Sequence, residues 1–570
     1  MKTSAMDNRF LLVIALGIIG FMIFQAWQLE NREVPSAPGE PPATATAPTE
    51  LPEAPAVEAP IPTAPSSATP VTPTVSEAAS PDTKRGTRIE VLTDVFDVVI
   101  DTIGGGLRVA KLRKYAVAVD TDFFQAAPAL ALRPRFELLT DETKNLYVTQ
   151  SGLIGTGGPY PNHKTEYTAS NNRYVLADGQ DELKVPLRWQ SDGVQYTKVY
   201  TFRRDDYVID IEYFVENNSS QTWQGHLYRQ FRRNYVERKG GFLTRLPTFT
   251  GGAIYTPEEK YDKIPFSEMA EEPLELDVTG GWVAMLQQFF VSAWLPPPEQ
   301  PNRYYTNALE GNRYTIGLKQ LQPTTIAPGN SGRLASMLYV GPKEHDRLER
   351  LAPGMVLTVD YGWLTFISAP LFWLLEYIHQ WVRNWGWAII VLTLSIKLVF
   401  YPLSAASYRS MAHMKRMQPR LQSLKERMGH DKQRFNQAMM ELYKKEKINP
   451  LGGCLPIAIQ IPVFIALYWV LLESVEMRQA PFILWYIDLS VRDPYFVLPL
   501  LMGISMFVQQ KLSPAQLDPM QRRIMTALPI VFTVFFLFFP AGLVLYWVVN
   551  NVLSIAQQWQ ITRMIAAKAK

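Results

Sequence analysis

The sequence predicts a polytopic α-helical membrane protein, six transmembrane helices in all, with one large all-β domain on its outer side. Three observations carry this reading. Apolar runs near the roughly twenty residues that span a bilayer recur after residue 360. Before them, residues 85–352 show period-two alternation broken by turn residues, the pattern of strands. Basic residues gather in alternate loops of the apolar half, which orients the spans.

Composition narrows the function classes. The 570 residues hold 56 Lys and Arg against 53 Asp and Glu, so the chain is no simple basic nucleic-acid binder, and no nucleic-acid sequence recognition is expected. The single cysteine, Cys454, excludes an intramolecular disulfide and a multi-cysteine metal site. The six histidines form no close-spaced metal motif. With no nucleotide-binding or catalytic constellation either, neither cofactor, metal nor enzymatic activity is expected.

Taken in order, residues 1–30 carry Lys2 and Arg9 before the apolar run 10–29. That run is long for a cleaved signal and lacks a small-x-small site, so it reads as an uncleaved signal anchor, with a cleaved signal as the alternative. Residues 31–84 are rich in Pro, Ala and Thr and bury too little to fold, which predicts a disordered tether. In the β domain, 197–202 and 207–215 read as a hairpin joined by Arg203-Arg204-Asp205-Asp206. Ile209, Ile211, Tyr213 and Val215 form its inward face. Gly104-Gly105-Gly106 marks a turn or bulge, and further strands are expected at 282–286, 289–294, 314–318 and 333–340. Such a pattern suits a two-sheet sandwich, closed by a short helix at 344–351.

Residues 353–384 read as an interfacial amphipathic helix, with Glu376, His379 or Gln380, and Arg383 on one face and aromatic anchors around it. The span 385–407 is apolar except for Lys397. From there to Arg409 is roughly 18 Å of helix, beyond the reach of a snorkelling lysine. Thr393, Lys397 and Tyr401, at i, i+4 and i+8, are expected to share one face. Residues 408–448 read as a cytoplasmic helical hairpin. Its seam is Met414, Met417, Leu421, Leu424 and Met428, answered by Phe435, Met439 and Leu442 across a Gly429-His430-Asp431 turn. The Met-rich seam could also receive varied peptides.

Residues 449–562 hold four further spans, at 451–472, 495–511, 524–539 and 541–559, before a short basic tail at 563–570. Gln460 sits between Pro456 and Pro462, and Tyr546, Asn550 and Ser554 recur on one face of the last span. These groups read either as interhelical hydrogen-bonding glue or as the lining of a hydrated cavity. A lone intramembrane lysine, with no acidic residue in any apolar run, favours the cavity. Phe532, Phe535, Phe536, Phe538 and Phe539 are expected to present an apolar flank beside it. The loop 409–447, then Lys511, Arg522 and Arg523, then Arg563, Lys568 and Lys570 are basic, whereas 473–494 is acid-rich. Both termini are therefore expected in the cytoplasm and the β domain outside.

Four motifs carry a family resemblance: Asn449-Pro450-Leu451-Gly452-Gly453-Cys454, Val475-Glu476-Met477-Arg478-Gln479-Ala480-Pro481-Phe482, Asp518-Pro519-Met520-Gln521, and residues 539–546 (FPAGLVLY). They closely resemble the YidC/Oxa/Alb family of membrane protein insertases, in its Gram-negative form with a large periplasmic domain, over essentially the whole chain. The resemblance implies a five-helix insertase core in the inner membrane, a β-supersandwich similar to sugar mutarotases, and a hydrophilic groove open to cytoplasm and lipid. It places one basic residue in the groove, generally Arg and here Lys397, so charge is kept and the guanidinium fork is not. Thr393, Gln460, Tyr546, Trp547 and Ser554 match positions on or near the substrate-contacting surface. Implied partners are nascent membrane proteins, the Sec translocon with its accessory proteins, ribosome–nascent chain complexes and membrane lipids. The short tail argues against tail-mediated ribosome binding. Two rival readings are an ion-coupled transporter using Lys397, and a membrane-anchored periplasmic carbohydrate-binding protein or enzyme. The second would need carboxylates converging with His163 and His226.

Overall fold

A computed structural model of the chain describes residues 85–117, 132–156, 159–236, 248–428, 431–446, 455–512 and 519–567. The expected signal anchor (1–30), the tether (31–84), Gly429-His430, the 449–454 motif, Asp518, Lys568 and Lys570 lie outside the described residues.

In the strand Val208–Asn217, Ile209, Ile211, Tyr213 and Val215 are all buried, the inward face expected from the alternation. This strand pairs antiparallel with Val194–Arg203 across a turn that holds Asp205 at φ 54°, and on its other edge with Ser331–Pro342. Together they lie within a nine-stranded sheet. A six-stranded sheet is built around Trp223–Asn234, which is flanked by Arg313–Gln320 and Tyr147–Gly155. The two sheets pack through large rings, with Phe231 against Trp294 at 5.8 Å and Tyr213 bonded to Ser151 at 3.0 Å.

The two-sheet expectation needs correction. Arg88–Leu92, Phe96–Asp101, Leu107–Ala116 and Arg135–Leu139 form a separate five-stranded sheet, joined in parallel by Arg173–Val175. Alternation reveals strands but not which edges pair, and a short parallel strand leaves no hairpin signature.

The Gly104–Gly106 stretch is a turn. Gly104 and Gly105 take φ 75° and 53°, and a Cβ on Gly104 would stand 2.3 Å from the His163 carbonyl oxygen. The turn's carbonyls hold a fully buried lysine. Lys198 Nζ donates to Gly104 O at 3.3 Å and Gly105 O at 2.7 Å, with Tyr167, Tyr200 and Tyr213 rings around it.

Ten helices are described: α1 Phe266–Glu271, α2 His345–Leu351, α3 Thr365–Val382, α4 Trp385–Val399, α5 Tyr401–Met428, α6 Lys432–Lys445, α7 Leu455–Glu473, α8 Val497–Leu512, α9 Pro519–Phe536 and α10 Ala541–Ala567. Helix α3 turns Ser368, Phe372 and Leu375 inward and leaves Phe366, Trp373, Tyr377 and Trp381 exposed. Two of its expected polar residues behave otherwise. Arg383 ends the helix in the left-handed region at φ 54°, and His379 stacks on Trp385 at 3.9 Å.

The expected span 385–407 is also corrected. Helix α4 stops at Val399 and α5 starts at Tyr401, with a bend of 67° between them. Pro402 has no N–H to continue the ladder, and Phe400 caps α4 by donating to the Ile396 carbonyl. Tyr401 therefore starts a new helix, beyond the end of the one that carries Thr393 and Lys397. The hairpin begins seven positions before 408 and packs through Met417 and Leu421, while Met428 is exposed near its tip. Asp431 caps α6, its carboxylate accepting from the Gln433 and Arg434 N–H groups.

Among the described residues no single helix is long and apolar enough to cross a membrane; the bent pair α4 and α5 passes that test together. The outward faces of α8 and α9 are apolar, with Leu500, Ile504, Ile530, Val531 and Val534 exposed.

Burial holds the Lys198 ammonium well below the ordinary lysine value of 10.5. The folded chain then releases this proton before the unfolded chain does, so between the lowered value and 10.5 stability rises with pH. Lys198→Met removes that titration. In urea melts of the full chain in detergent, the stability difference between wild type and Lys198→Met should move towards wild type between about pH 7 and about pH 10. A pH-independent difference would contradict the burial account.

Candidate functional site

Lys397 lies in the last turn of α4, is 5 % exposed, and faces α10. Its Nζ donates to Ser554 Oγ at 2.7 Å, and the Ser554 hydroxyl donates to the Asn550 carbonyl one turn earlier at 2.7 Å. Serine can do both because its oxygen accepts while its proton is given away. Asn550 Oδ1 in turn accepts from Gln460 Nε2 on α7 at 2.9 Å. A polar ladder thus runs Lys397–Ser554–Asn550–Gln460 across α4, α10 and α7. Asn551 ties α10 to α8 by donating to Ser505 Oγ at 3.0 Å. Among the described residues Lys397 has no carboxylate within ion-pair distance.

The other expected site residues divide. Thr393 is buried and donates its hydroxyl to the Ile389 carbonyl on its own helix at 2.6 Å, so that proton is already used. Tyr401 is half-buried beyond the break in the helix. Tyr546 is buried with its ring stacked on Phe464 at 5.9 Å, and its hydroxyl has no hydrogen-bond partner among the described residues. Trp547 stands edge-on to Phe464 at 4.5 Å.

Of the expected apolar flank, Phe536 and Phe539 are buried and Phe532 and Phe535 half-buried. Phe536 and Phe532 lie 5.0 and 6.1 Å from Trp547, and Phe535 and Phe536 lie 4.6 and 5.0 Å from Phe539. Rings that stack on one another and on a tryptophan bury more area than rings turned outwards. The outward face of α9 is instead aliphatic, at Ile530, Val531 and Val534.

Two members of the site escaped sequence reasoning. Ser505 carried a usable signal, a hydroxyl in an apolar span; Phe464 carried none, being one aromatic residue in an apolar helix. Among the described residues no group of three or more His, Cys, Asp or Glu is placed to hold a metal ion. In the β domain, His163 Nδ1 meets the Tyr228 hydroxyl at 2.6 Å and His226 Nδ1 meets the Gln320 carbonyl at 3.0 Å, so each histidine has a separate partner.

Two family models cover nearly all of this architecture. Residues 88–374 match the YidC periplasmic domain, and residues 377–568 match the 60Kd inner membrane protein. A membrane protein insertase YidC of Thioalkalivibrio sulfidiphilus is 51 % identical over 99 % of this chain and 100 % of its own length. That of Alkalilimnicola ehrlichii is 51 % identical over 98 % and 96 %. That of Nitrosococcus oceani is 47 % identical over 98 % and 99 %. The chain belongs to the YidC membrane protein insertase family. The β domain of this YidC-family chain is thus the family's periplasmic domain, and the polar ladder lies in the part matched to its inner membrane protein model.

A double-mutant cycle on Gln460→Ala and Asn550→Ala should give a coupling of about 0.6 kcal/mol and at most about 2 kcal/mol, the range of hydrogen bonds between membrane helices. Thermal unfolding of the full chain in detergent measures it. Additive effects would mean that the amides are not bonded to each other.

Proposed function

We propose that this chain is a membrane protein insertase and chaperone of the bacterial inner membrane. It inserts nascent proteins from the cytoplasmic side, alone or with the Sec translocon, and helps them fold. One observation carries the mechanistic part: the buried, carboxylate-free Lys397 at the head of a three-helix polar ladder. A charge in an apolar span is costly, so a lysine kept there without a counter-ion is explained by a ligand that supplies one in passing.

The steps follow from the residues. A hydrophilic segment of the client enters a groove between α4, α7 and α10 from the cytoplasm. Its polar or acidic groups replace Ser554 as partners of the Lys397 ammonium, while Gln460 and Asn550 exchange hydrogen bonds with its backbone. The client's apolar segment moves into lipid along the aliphatic faces of α8 and α9, where Leu500, Ile504, Ile530 and Val531 are exposed. Tyr546 and Trp547 floor the groove on its aromatic side. For acidic tails the membrane potential contributes about 2.3 kcal/mol per charge per 100 mV. No bond is made or broken in any step.

Helix length supports the same scheme. The 16 residues of α8 span roughly 24 Å. A hydrocarbon core is roughly 30 Å thick, so the bilayer would thin beside it and shorten the apolar path of the client. We place both termini in the cytoplasm and the β domain in the periplasm, with an N-terminal anchor and five core spans, on the distribution of loop charges.

Complementation of insertase-depleted cells tests the reading. Lys397→Arg should support growth and insertion, whereas Lys397→Ala and Lys397→Glu should impair small clients with acidic translocated tails. Normal insertion of every client by Lys397→Ala would overturn the electrostatic role.

A further inference from the structure

The loop between α7 and α8 enters the β domain through Glu476-Met477-Arg478-Gln479, and none of these residues takes part in the polar ladder. Arg478 is 8 % exposed although it lies between two membrane helices in sequence. Its guanidinium carbon stands 5.4, 5.4 and 5.2 Å from the ring centroids of Phe136, Phe289 and Phe290, and Nη2 donates to the Ala116 carbonyl. Phe136 and Phe290 stack at 4.1 Å and 17°, with Tyr115 edge-on to Phe290 at 5.4 Å. Phe136 belongs to the five-stranded sheet and Phe290 to the nine-stranded sheet, so the box forms only where the two sheets meet.

Gln479 holds φ at 55°, a conformation that residues with a Cβ seldom adopt, and its side chain copies a neighbouring strand. The amide oxygen accepts from the Ala116 N–H at 2.5 Å, and the amide nitrogen donates to the Lys114 carbonyl at 2.9 Å. Three further contacts converge around the same end of α7. Gln288 Nε2 donates to the Leu472 carbonyl at 3.1 Å, Tyr361 and Ser474 share a hydrogen bond at 3.2 Å, and the His345 N–H donates to Glu476 at 3.4 Å.

We propose that the β domain carries a guanidinium-binding box and that its ligand is the core's own Arg478. With Gln479 it forms a pin that holds the β domain in one orientation over the outer end of α7. The pin favours arginine because one broad, weakly hydrated cation lies within 5.4 Å of three rings while its Nη2 reaches the Ala116 carbonyl, whereas a lysine ammonium is a compact, strongly hydrated point charge. Domains joined by modest interfaces move relative to each other by default, so fixed orientation requires such a device. The helix held in this way is the one that brings Gln460 into the ladder.

Spin-label distance measurements on the full chain in nanodiscs test this. Cys454→Ser clears the background, and labels go to Val175→Cys in the β domain and Leu500→Cys on α8, both exposed. The parent should give one narrow distance. Arg478→Ala and Arg478→Lys should each broaden it by about twofold or more, as expected for an unpinned domain. A narrow distance retained in Arg478→Ala overturns the pin, and a narrow distance retained in Arg478→Lys overturns recognition by the rings. Should Arg478→Ala not fold, Gln479→Ala, which leaves the box filled, is read by hydrogen exchange at Ala116. Exchange about tenfold faster supports the pin, and unchanged exchange overturns it.

Discussion

An ammonium in an apolar helical layer, bonded to a serine hydroxyl and, among the described residues, to no acid, is the constraint that the helical half is arranged around. Lys397 is 5 % exposed, and the next basic residue, Arg409, lies beyond the 67° bend after Val399. It must therefore be solvated by protein. Ser554 does this at 2.7 Å, and the hydroxyl stays oriented because its own proton is fixed on Asn550. Gln460 then fixes Asn550. Each bond is an ordinary one: the Ser554 oxygen solvates the ammonium, the Asn550 backbone carbonyl holds that hydroxyl, and Gln460 holds the Asn550 side chain.

Much of this was legible in the residues. Lys397 stands out because nothing acidic shares its apolar layer, and Asn550 and Ser554 follow from helical spacing. The strand Val208–Asn217 could be read face by face, since two-residue periodicity survives any tertiary context that buries one side. What stayed hidden depends on contacts between distant segments. Spacing alone assumed one continuous helix through Tyr401, whereas the helix of Lys397 ends at Val399 and Tyr401 starts the next. Sequence gives the spacing of Phe532 and Phe536 but not the Trp547 that both meet. The third β-sheet was missed because strand pairing is non-local, and Phe464 because one aromatic residue in an apolar helix has no pattern.

The two halves of the molecule meet by recognition rather than by a bare linker. The loop after α7 contributes an arginine to an aromatic box and a glutamine to a strand end. Tyr361 and His345 from the β-domain side lie against Ser474 and Glu476 at the same place. Helix α7, which carries Gln460 to Asn550, is thus anchored at the end that meets the β domain.

The central claim is that Lys397 is a transient partner for the client's polar segment. Photo-crosslinking from position 554 to stalled nascent chains in membranes tests it most directly, using matched clients with acidic and with neutral tails. The account predicts stronger capture of the acidic tail and loss of that preference in Lys397→Ala. Equal capture of both tails, or a preference that persists without the lysine, would contradict it.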